Sequence, residues 1–205
     1  MTVPQLNNKI GSYKKRQLNT GKLANELKLF LESLNYNVAV AGPFAIKNQQ
    51  RLTSSTDFCI EYRAKKSAAI IKKMERFNED LNEILDIYAL RLILPSVDLL
   101  DKVSKEIKNG LWKNPTKKEM TIRGGKLSFS SFRDYRKRDW PGVSPLTGQG
   151  YDNAIHMNRK TEFCIAEIQI VTRDLYDRYY GDKEEGHKKF KKRQEKYFSA
   201  KNKLF

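Results

Sequence analysis

Glu167 and Gln169 stand two residues apart in the run Cys164-Ile165-Ala166-Glu167-Ile168-Gln169-Ile170-Val171-Thr172, an acid and an amide inside an otherwise apolar strand. Side chains alternate across a strand, so these two share one face while Ala166, Ile168 and Ile170 share the other. A carboxylate in a low-dielectric setting is costly unless a counter-ion, a metal or a proton neutralises it. A divalent cation is one partner that fits, which makes this strand the first candidate for chemistry. The two histidines, His156 and His187, are too few for a zinc-type cluster.

Charge is the second signal. The chain has 40 Lys and Arg against 24 Asp and Glu, a net charge of +16. The excess is concentrated near the end, where Lys188, Lys189, Lys191, Lys192, Arg193, Lys196, Lys201 and Lys203 face the single acid Glu195. Such a balance favours polyanionic partners: nucleotide phosphates, RNA or an acidic protein surface. A solvated basic helix that contacts nothing is the bland alternative.

The elements that must position these groups follow from periodicity. Leu23, Leu27, Phe30, Leu31 and Leu34 have helical spacing, so 6–34 is expected to be mostly helical before the chain turns toward a strand at Val38. A strand over 57–62 follows a polar loop, then a helix over 67–85 with Ile70, Ile71, Met74, Phe77 and Leu81 inward. Residues 87–94 read as a buried strand, ended by Pro95 and Ser96, which open a helix through Ile107; Gly110 and Pro115 mark a loop. Further strands are expected over 125–132, 152–157 and 163–171. A long basic helix starts at Arg173, with Thr172 as N-cap and Asp174 an acid suited to the first turn. At 205 residues and 39% hydrophobic content, one α/β domain with helical extensions is expected, built on a single mixed sheet flanked by helices. Cys59 and Cys164 read as reduced core residues. There is no apolar run long enough to span a bilayer and no secretory layout at the N-terminus, so a cytoplasmic protein without a membrane partner is expected.

Four segments in collinear order resemble the synthetase domain of the RelA/SpoT family of alarmone enzymes. Arg63-Ala64-Lys65-Lys66-Ser67-Ala68-Ala69-Ile70-Ile71-Lys72-Lys73-Met74 is similar to the family's Arg-x-Lys-x-x-x-Ser-Ile-x-x-Lys segment. Asp86-Ile87-Tyr88-Ala89-Leu90-Arg91 is similar to its Asp-x-x-Gly-x-Arg strand. Arg133-Asp134-Tyr135, Gly150-Tyr151 and His156 follow its Arg-Asp-Tyr…Gly-Tyr…His acceptor loop. Glu167 to Thr172, with His187-Lys188-Lys189-Phe190-Lys191 downstream, resembles Glu-Ile-Gln-Ile-Arg-Thr and its His-x-x-aromatic-Lys. Each motif alone is weak; four in register are specific.

The resemblance implies a nucleotidyltransferase-like synthetase fold of α/β (α+β) class. Residues 1–50 would form an N-terminal helical region, 51–191 the pyrophosphokinase core, and 173–205 a basic C-terminal helix. It implies transfer of pyrophosphate from ATP with Mg²⁺ to a ribose hydroxyl, with synthesis only and no hydrolase domain. Arg63, Lys65, Lys73 and Arg91 would bind the ATP phosphates, since charge spreading over a transferring group calls for fixed cations. Lys66 and Lys72 read as ordinary surface. Asp86 and Glu167 would be the paired acids: Asp86 a metal ligand, and Glu167 sharing the metal or taking the hydroxyl proton. Outside that resemblance, Asp86 reads as a turn residue and Glu167 as an ion-pair partner of Arg91. Tyr151, His156 and Gln169 would bind the acceptor, Tyr151 by stacking on its base.

The departures fall mostly on the acceptor side. Ala69, Ala89 and Val171 replace the family's serine, glycine and arginine, and residues 140–150 form a longer loop than its Pro-Lys-x-Asn segment. Three readings follow. A toxic member of the family would pyrophosphorylate the tRNA 3′ end and have a neutralising antitoxin as partner, with Lys188, Lys189, Lys192 and Arg193 tracking the RNA backbone. A small alarmone synthetase would instead use a free guanine or adenine nucleotide, and its C-terminal helix would build a homo-oligomer. The third reading is an inactive RNA- or partner-binding relic, against which the retained acids and cations argue. The rewritten loop and the basic end favour the first.

Overall fold

Thr2 opens the chain's first helix with a capping box, its side chain accepting from Gln5 N while the Gln5 side chain accepts from Thr2 N. This helix, α1 (Val3–Ile10), stops at Gly11, whose φ of 81° lies in the left-handed region that glycine adopts at least cost. Ser12 then caps α2 (Tyr13–Ser33) by accepting from Lys15 N. The computed structural model describes residues 1–43, 58–77, 81, 84, 86–111, 119–122, 125–128, 132–134, 154–160 and 165–177.

The remaining elements in chain order are β1 (Val38–Pro43), β2 (Phe58–Ala64), α3 (Ser67–Phe77), β3 (Tyr88–Leu94) and α4 (Asp98–Leu111), then β4 (Glu119–Ile122), β5 (Gly125–Ser128), β6 (Phe132–Asp134), β7 (Ala154–Lys160), β8 (Ile165–Thr172) and the short α5 (Arg173–Tyr176). Six strands form one sheet in the order β1-β2-β3-β8-β7-β6; β4 and β5 pair separately. The β1/β2 and β3/β8 pairs are parallel, and β2/β3, β7/β8 and β6/β7 are antiparallel. The fold is therefore α/β with a mixed sheet and flanking helices. No helix among the described residues is long and apolar enough to cross a membrane.

The alternation of strand side chains splits the sheet into two unlike faces. One face presents Ile60, Leu90, Leu92, Ile168 and Ile170 to the main core, which α2 closes with Ala24, Leu27 and Leu31 and α4 with Leu100, Val103 and Ile107. Burying each such leucine or isoleucine contributes about 1.5–3 kcal/mol. The helical region at the N-terminus shares this core with the sheet, and Leu6 of α1 is fully buried in it. The other face carries Glu61, Arg91, Glu167 and Gln169, and a smaller apolar cluster of Cys59, Ile93, Val171, Leu175 and Tyr176 closes one end of it.

Several expectations change in detail. Gly110 does not mark a loop: it lies inside α4, where a Cβ would sit 2.1 Å from the Phe30 ring, so its lack of a side chain lets α2 and α4 approach. The strand expected over 125–132 is two elements, β5 and β6, in different sheets, and β4 was not anticipated; β4 and β5 form a second, two-stranded antiparallel sheet. The helix expected over 67–85 is described as Ser67–Phe77, and Leu81 and Ile84 are not α-helical. The strand containing Glu61 runs on through Arg63 to Ala64. Thr172 caps the helix at Arg173 as expected, accepting from Leu175 N at 3.3 Å; the basic segment beyond residue 177 lies outside the described residues.

Candidate active site

Asp86 lies just before β3, on the turn that delivers the chain into the sheet. Lys65 follows β2 on the neighbouring strand, and its backbone N donates to Ile87 O at 2.8 Å, which ties the two turns together. Lys73 comes from α3, one and a half turns into the helix that starts at Ser67. The two ammonium groups converge on one carboxylate: Lys65 Nζ bonds Asp86 Oδ2, and Lys73 Nζ donates to Asp86 Oδ1 at 3.0 Å. Lys66 and Lys72, one residue away in each case, point to solvent.

This cage has a definite electrostatic sense. Burial alone would raise the Asp86 pKa, but Lys73 and Lys65 together outweigh it and hold the carboxyl down at about 2, so it is ionised at neutral pH. Burial lowers the pKa of Lys65; Asp86 opposes that shift, while Lys73 and Arg63 reinforce it by like-charge repulsion. Arg63, on β2, is therefore within electrostatic range of the cage. Two lysines around one acid leave a net positive pocket, which suits a phosphate chain.

The backbone of this segment is held from the N-terminal helices. Ala64 N donates to Gln17 Oε1 at 2.7 Å. Arg16, fully buried, donates from NH2 to Lys65 O at 3.3 Å and to Ser67 Oγ at 2.8 Å, and Ser67 Oγ donates onward to Asn7 Oδ1 at 2.8 Å. Its NH1 also donates to Gly11 O and Asn7 Oδ1. Helices α1 and α2 thus fix the turn from which Lys65 projects. Sequence reasoning missed Arg16 because a lone basic residue in a basic helix carries no sign that it will be buried.

A second polar group occupies mid-sheet. Register sets Glu61 opposite Arg91, and Arg91 opposite Gln169. Arg91 NH1 donates to Glu61 Oε2 at 3.2 Å; its Nε and NH2 donate to Gln169 Oε1 at 3.3 and 3.1 Å. Gln169 Nε2 donates to Glu167 Oε2 at 3.0 Å, as their shared face predicts. Tyr176 OH donates to Glu61 Oε1 at 2.6 Å, and burial followed by this bond raises the tyrosine's pKa. The close ion pair of Arg91 is with Glu61, at 3.2 Å. Glu61 and Tyr176 were not foreseen; the available signal was one acid in β2 and one base in β3, each alone among apolar neighbours.

Of the four cations expected to meet ATP, the structure gathers Lys65 and Lys73 at Asp86 with Arg63 nearby, and sets Arg91 in the mid-sheet group. Asp86 precedes β3 and Glu167 lies on the adjacent β8, in register with Ala89, three residues beyond Asp86. His156 holds the β7 position opposite Gln169, and Arg133 the β6 position opposite His156, extending the same row. Tyr151, Lys188, Lys189, Lys192 and Arg193 lie outside the described residues. Cys59 is buried with its thiol pushed up to about 11 by burial, which marks it as inert.

Among the described residues no group of three or more His, Cys, Asp or Glu could hold a metal. Among these residues, then, there is no all-protein metal cage. Mg²⁺ does not need one, since one or two carboxylates suffice when phosphate oxygens and waters complete its shell.

Two solved structures are similar along most of the chain. Small alarmone synthetase 1 from Bacillus subtilis is 18% identical, with 94% of this chain and 91% of that one covered and a TM-score of 0.43. The same enzyme bound to AMPCPP is 15% identical, covering 94% and 93%, with a TM-score of 0.36. No curated protein matches the chain. Residues 62–195 match the family described as the region found in RelA / SpoT proteins. That match runs from Arg63 and Lys65 through Asp86 and Arg91 to Glu167 and Gln169, and Glu61 stands one residue before it. It covers well over half of the 205 residues, and the chain belongs to the RelA/SpoT family, carrying its pyrophosphokinase-type synthetase region.

Proposed function

We propose that this protein transfers the β,γ-pyrophosphate of ATP to a ribose 3′-hydroxyl, and that its acceptor is the 3′ end of tRNA. The observation that carries the transfer reading is the convergence of Lys65 and Lys73 on Asp86, beside a sheet face bearing Glu167. Both lysines are side chains on partly exposed stems, so an arriving triphosphate can take them over. Lys65, Lys73 and Arg63 then hold the β- and γ-phosphates; Asp86, freed of the lysines, and Glu167 would hold Mg²⁺. Mg²⁺, arriving with ATP, would supply neutralisation of charge on the bridging and non-bridging oxygens.

Glu167 accepts the proton of the acceptor hydroxyl as its oxygen attacks the β-phosphorus. The bond from the β-phosphorus to the α,β-bridging oxygen breaks, and AMP leaves. Fixed lysines and arginine stabilise the spreading negative charge without reorganising. Gln169, with Tyr151 and His156 from the acceptor segments, is assigned to the acceptor, and Arg91 anchors the face beneath them.

The choice of tRNA is supported by the net charge of +16 and by the basic run containing Lys188, Lys189, Lys192 and Arg193. A polyanion held by that run would show steep salt dependence, because each neutralised phosphate releases counterions. The test is incubation with γ-labelled ATP and Mg²⁺, offering deacylated tRNA, GDP, GTP and ATP in parallel. Label on tRNA is the expected result. Label on a free nucleotide would replace the acceptor while keeping the chemistry, and no label on any acceptor would overturn the transfer reading.

A further inference from the structure

Glu61 sits in mid-sheet with each of its carboxylate oxygens engaged, Oε1 by Tyr176 OH and Oε2 by Arg91 NH1. It and Arg91 are each 4% exposed. Tyr176 supports both members of the pair, because the Arg91 guanidinium also lies 5.8 Å from the centre of its ring. With NH1 turned to Glu61, the remaining edge of the guanidinium, Nε and NH2, grips Gln169 Oε1.

That grip dictates the next bond. A guanidinium only donates, so the Gln169 amide must turn its oxygen toward Arg91 and present its NH₂ on the other side, where Glu167 accepts it. Flipping the amide would set N–H against N–H and oxygen against carboxylate. The chain Tyr176, Glu61, Arg91, Gln169, Glu167 therefore has one internally consistent polarity, and it ends on the acid assigned to the proton transfer.

We infer that Glu61 and Tyr176 are positioning residues that set the orientation of Glu167 through Arg91 and Gln169. This rests on the transfer reading above, in which Glu167 meets the acceptor hydroxyl. A general base must be held in hydrogen-bond reach of the proton it takes, and small misplacements are costly to rate. Arg91 in this role acts on Glu167 and leaves ATP affinity to the cage of Lys65 and Lys73. The planar fork matters because it fixes the directions of the bonds to Glu61 and Gln169, whereas a lysine offers a point charge with freely rotating donors.

The experiment measures kcat and KM for ATP by label transfer in the full-length wild type, Tyr176→Phe, Glu61→Gln and the double variant Glu61→Leu/Arg91→Met, with thermal unfolding of each. Tyr176→Phe should lower kcat about 10-fold and Glu61→Gln about 100-fold, with KM for ATP unchanged. Glu61→Gln also strips a buried arginine of its counter-charge and can unfold the domain. The double variant replaces the pair with apolar groups of similar volume, which restores stability when a buried pair is merely structural. Its kcat should nevertheless stay about 100-fold down. A stable double variant with wild-type kcat would overturn the inference, as would Tyr176→Phe with unchanged kcat or with a raised KM for ATP as its only effect. Tyr176→Phe deletes a single hydroxyl and decides the matter even where the double variant does not fold. A wild type that labels no acceptor overturns the transfer reading and this inference with it, whereas an active wild type beside an equally active folded double variant overturns the inference alone.

Discussion

Two carboxylates on this sheet are each neutralised by cations, and they do opposite things. Asp86 is caged by Lys65 and Lys73, whose side chains are 16% and 26% exposed, at the point where β3 begins. Glu61 is paired with Arg91, both side chains 5% exposed, in the middle of β2 and β3. Lysine presents a mobile point charge on a flexible stem; arginine presents a rigid fork. In the proposed mechanism the rim cage exchanges its partners for phosphate oxygens, whereas the buried pair cannot exchange anything without leaving a charge in an apolar setting. Under that mechanism one ion pair waits for the ligand and the other holds the frame.

The sharpest break of this contrast is chemical. Glu167→Gln and Asp86→Asn should each lower turnover on the order of 10³-fold with the fold retained, the loss typical of removing a proton-transfer or metal-binding group. Label-transfer rates with circular dichroism check this, and either variant turning over at a near-normal rate removes that residue from the mechanism.

Stability is the next largest effect, and it should discriminate between the two pairs. Removing one partner of the buried pair, as in Arg91→Ala, should cost about 3–5 kcal/mol in urea unfolding. Lys73→Met, which leaves Asp86 still paired with Lys65 near solvent, should cost no more than about 1 kcal/mol. Equal losses would mean that the rim cage is as much a part of the frame as the buried pair.

Acid separates them further. Asp86 is held at about 2 against an ordinary 3.8, a depressed value, so its contribution is present above pH 4 and lost as the pH falls toward 2. A shift of that size corresponds to roughly 2 kcal/mol. Urea midpoints measured from pH 6 to pH 2 should fall less steeply in Lys65→Met/Lys73→Met than in the wild type; parallel curves would show that the lysines do not hold the acid down. The smallest effect should be that of salt: raising ionic strength to 1 M should trim the rim cage's share of stability by a few tenths of a kcal/mol and leave the buried pair's unchanged.

Much of the sheet was legible because strands announce themselves by period two. The run from Tyr88 to Leu94 reads as buried and is buried at every position. Their two-residue spacing puts Glu167 and Gln169 on one face, and they are hydrogen-bonded there. Thr172 was readable as a cap from its own side chain and the acid two residues on. Gly110 was misread because glycine signals a turn only when nothing else needs its missing Cβ; here Phe30, eighty residues earlier, needs it. Strand β4 and the division of 125–132 were missed because short strands carry too few alternations to be told from loops.

By itself the sequence determined which side chains share a face and which acids and bases were available, because alternation along a strand and the reach of a helical cap are local properties of neighbouring residues. Only the tertiary structure decided who meets whom. Nothing local says that β2 lies beside β3 and β3 beside β8, yet that order gives Arg91 to Glu61 and Gln169 and brings Lys65 to Asp86, where the packing of α3 adds Lys73. Strand order is set by which apolar faces can be buried together under α2 and α4, a choice made by the whole chain at once.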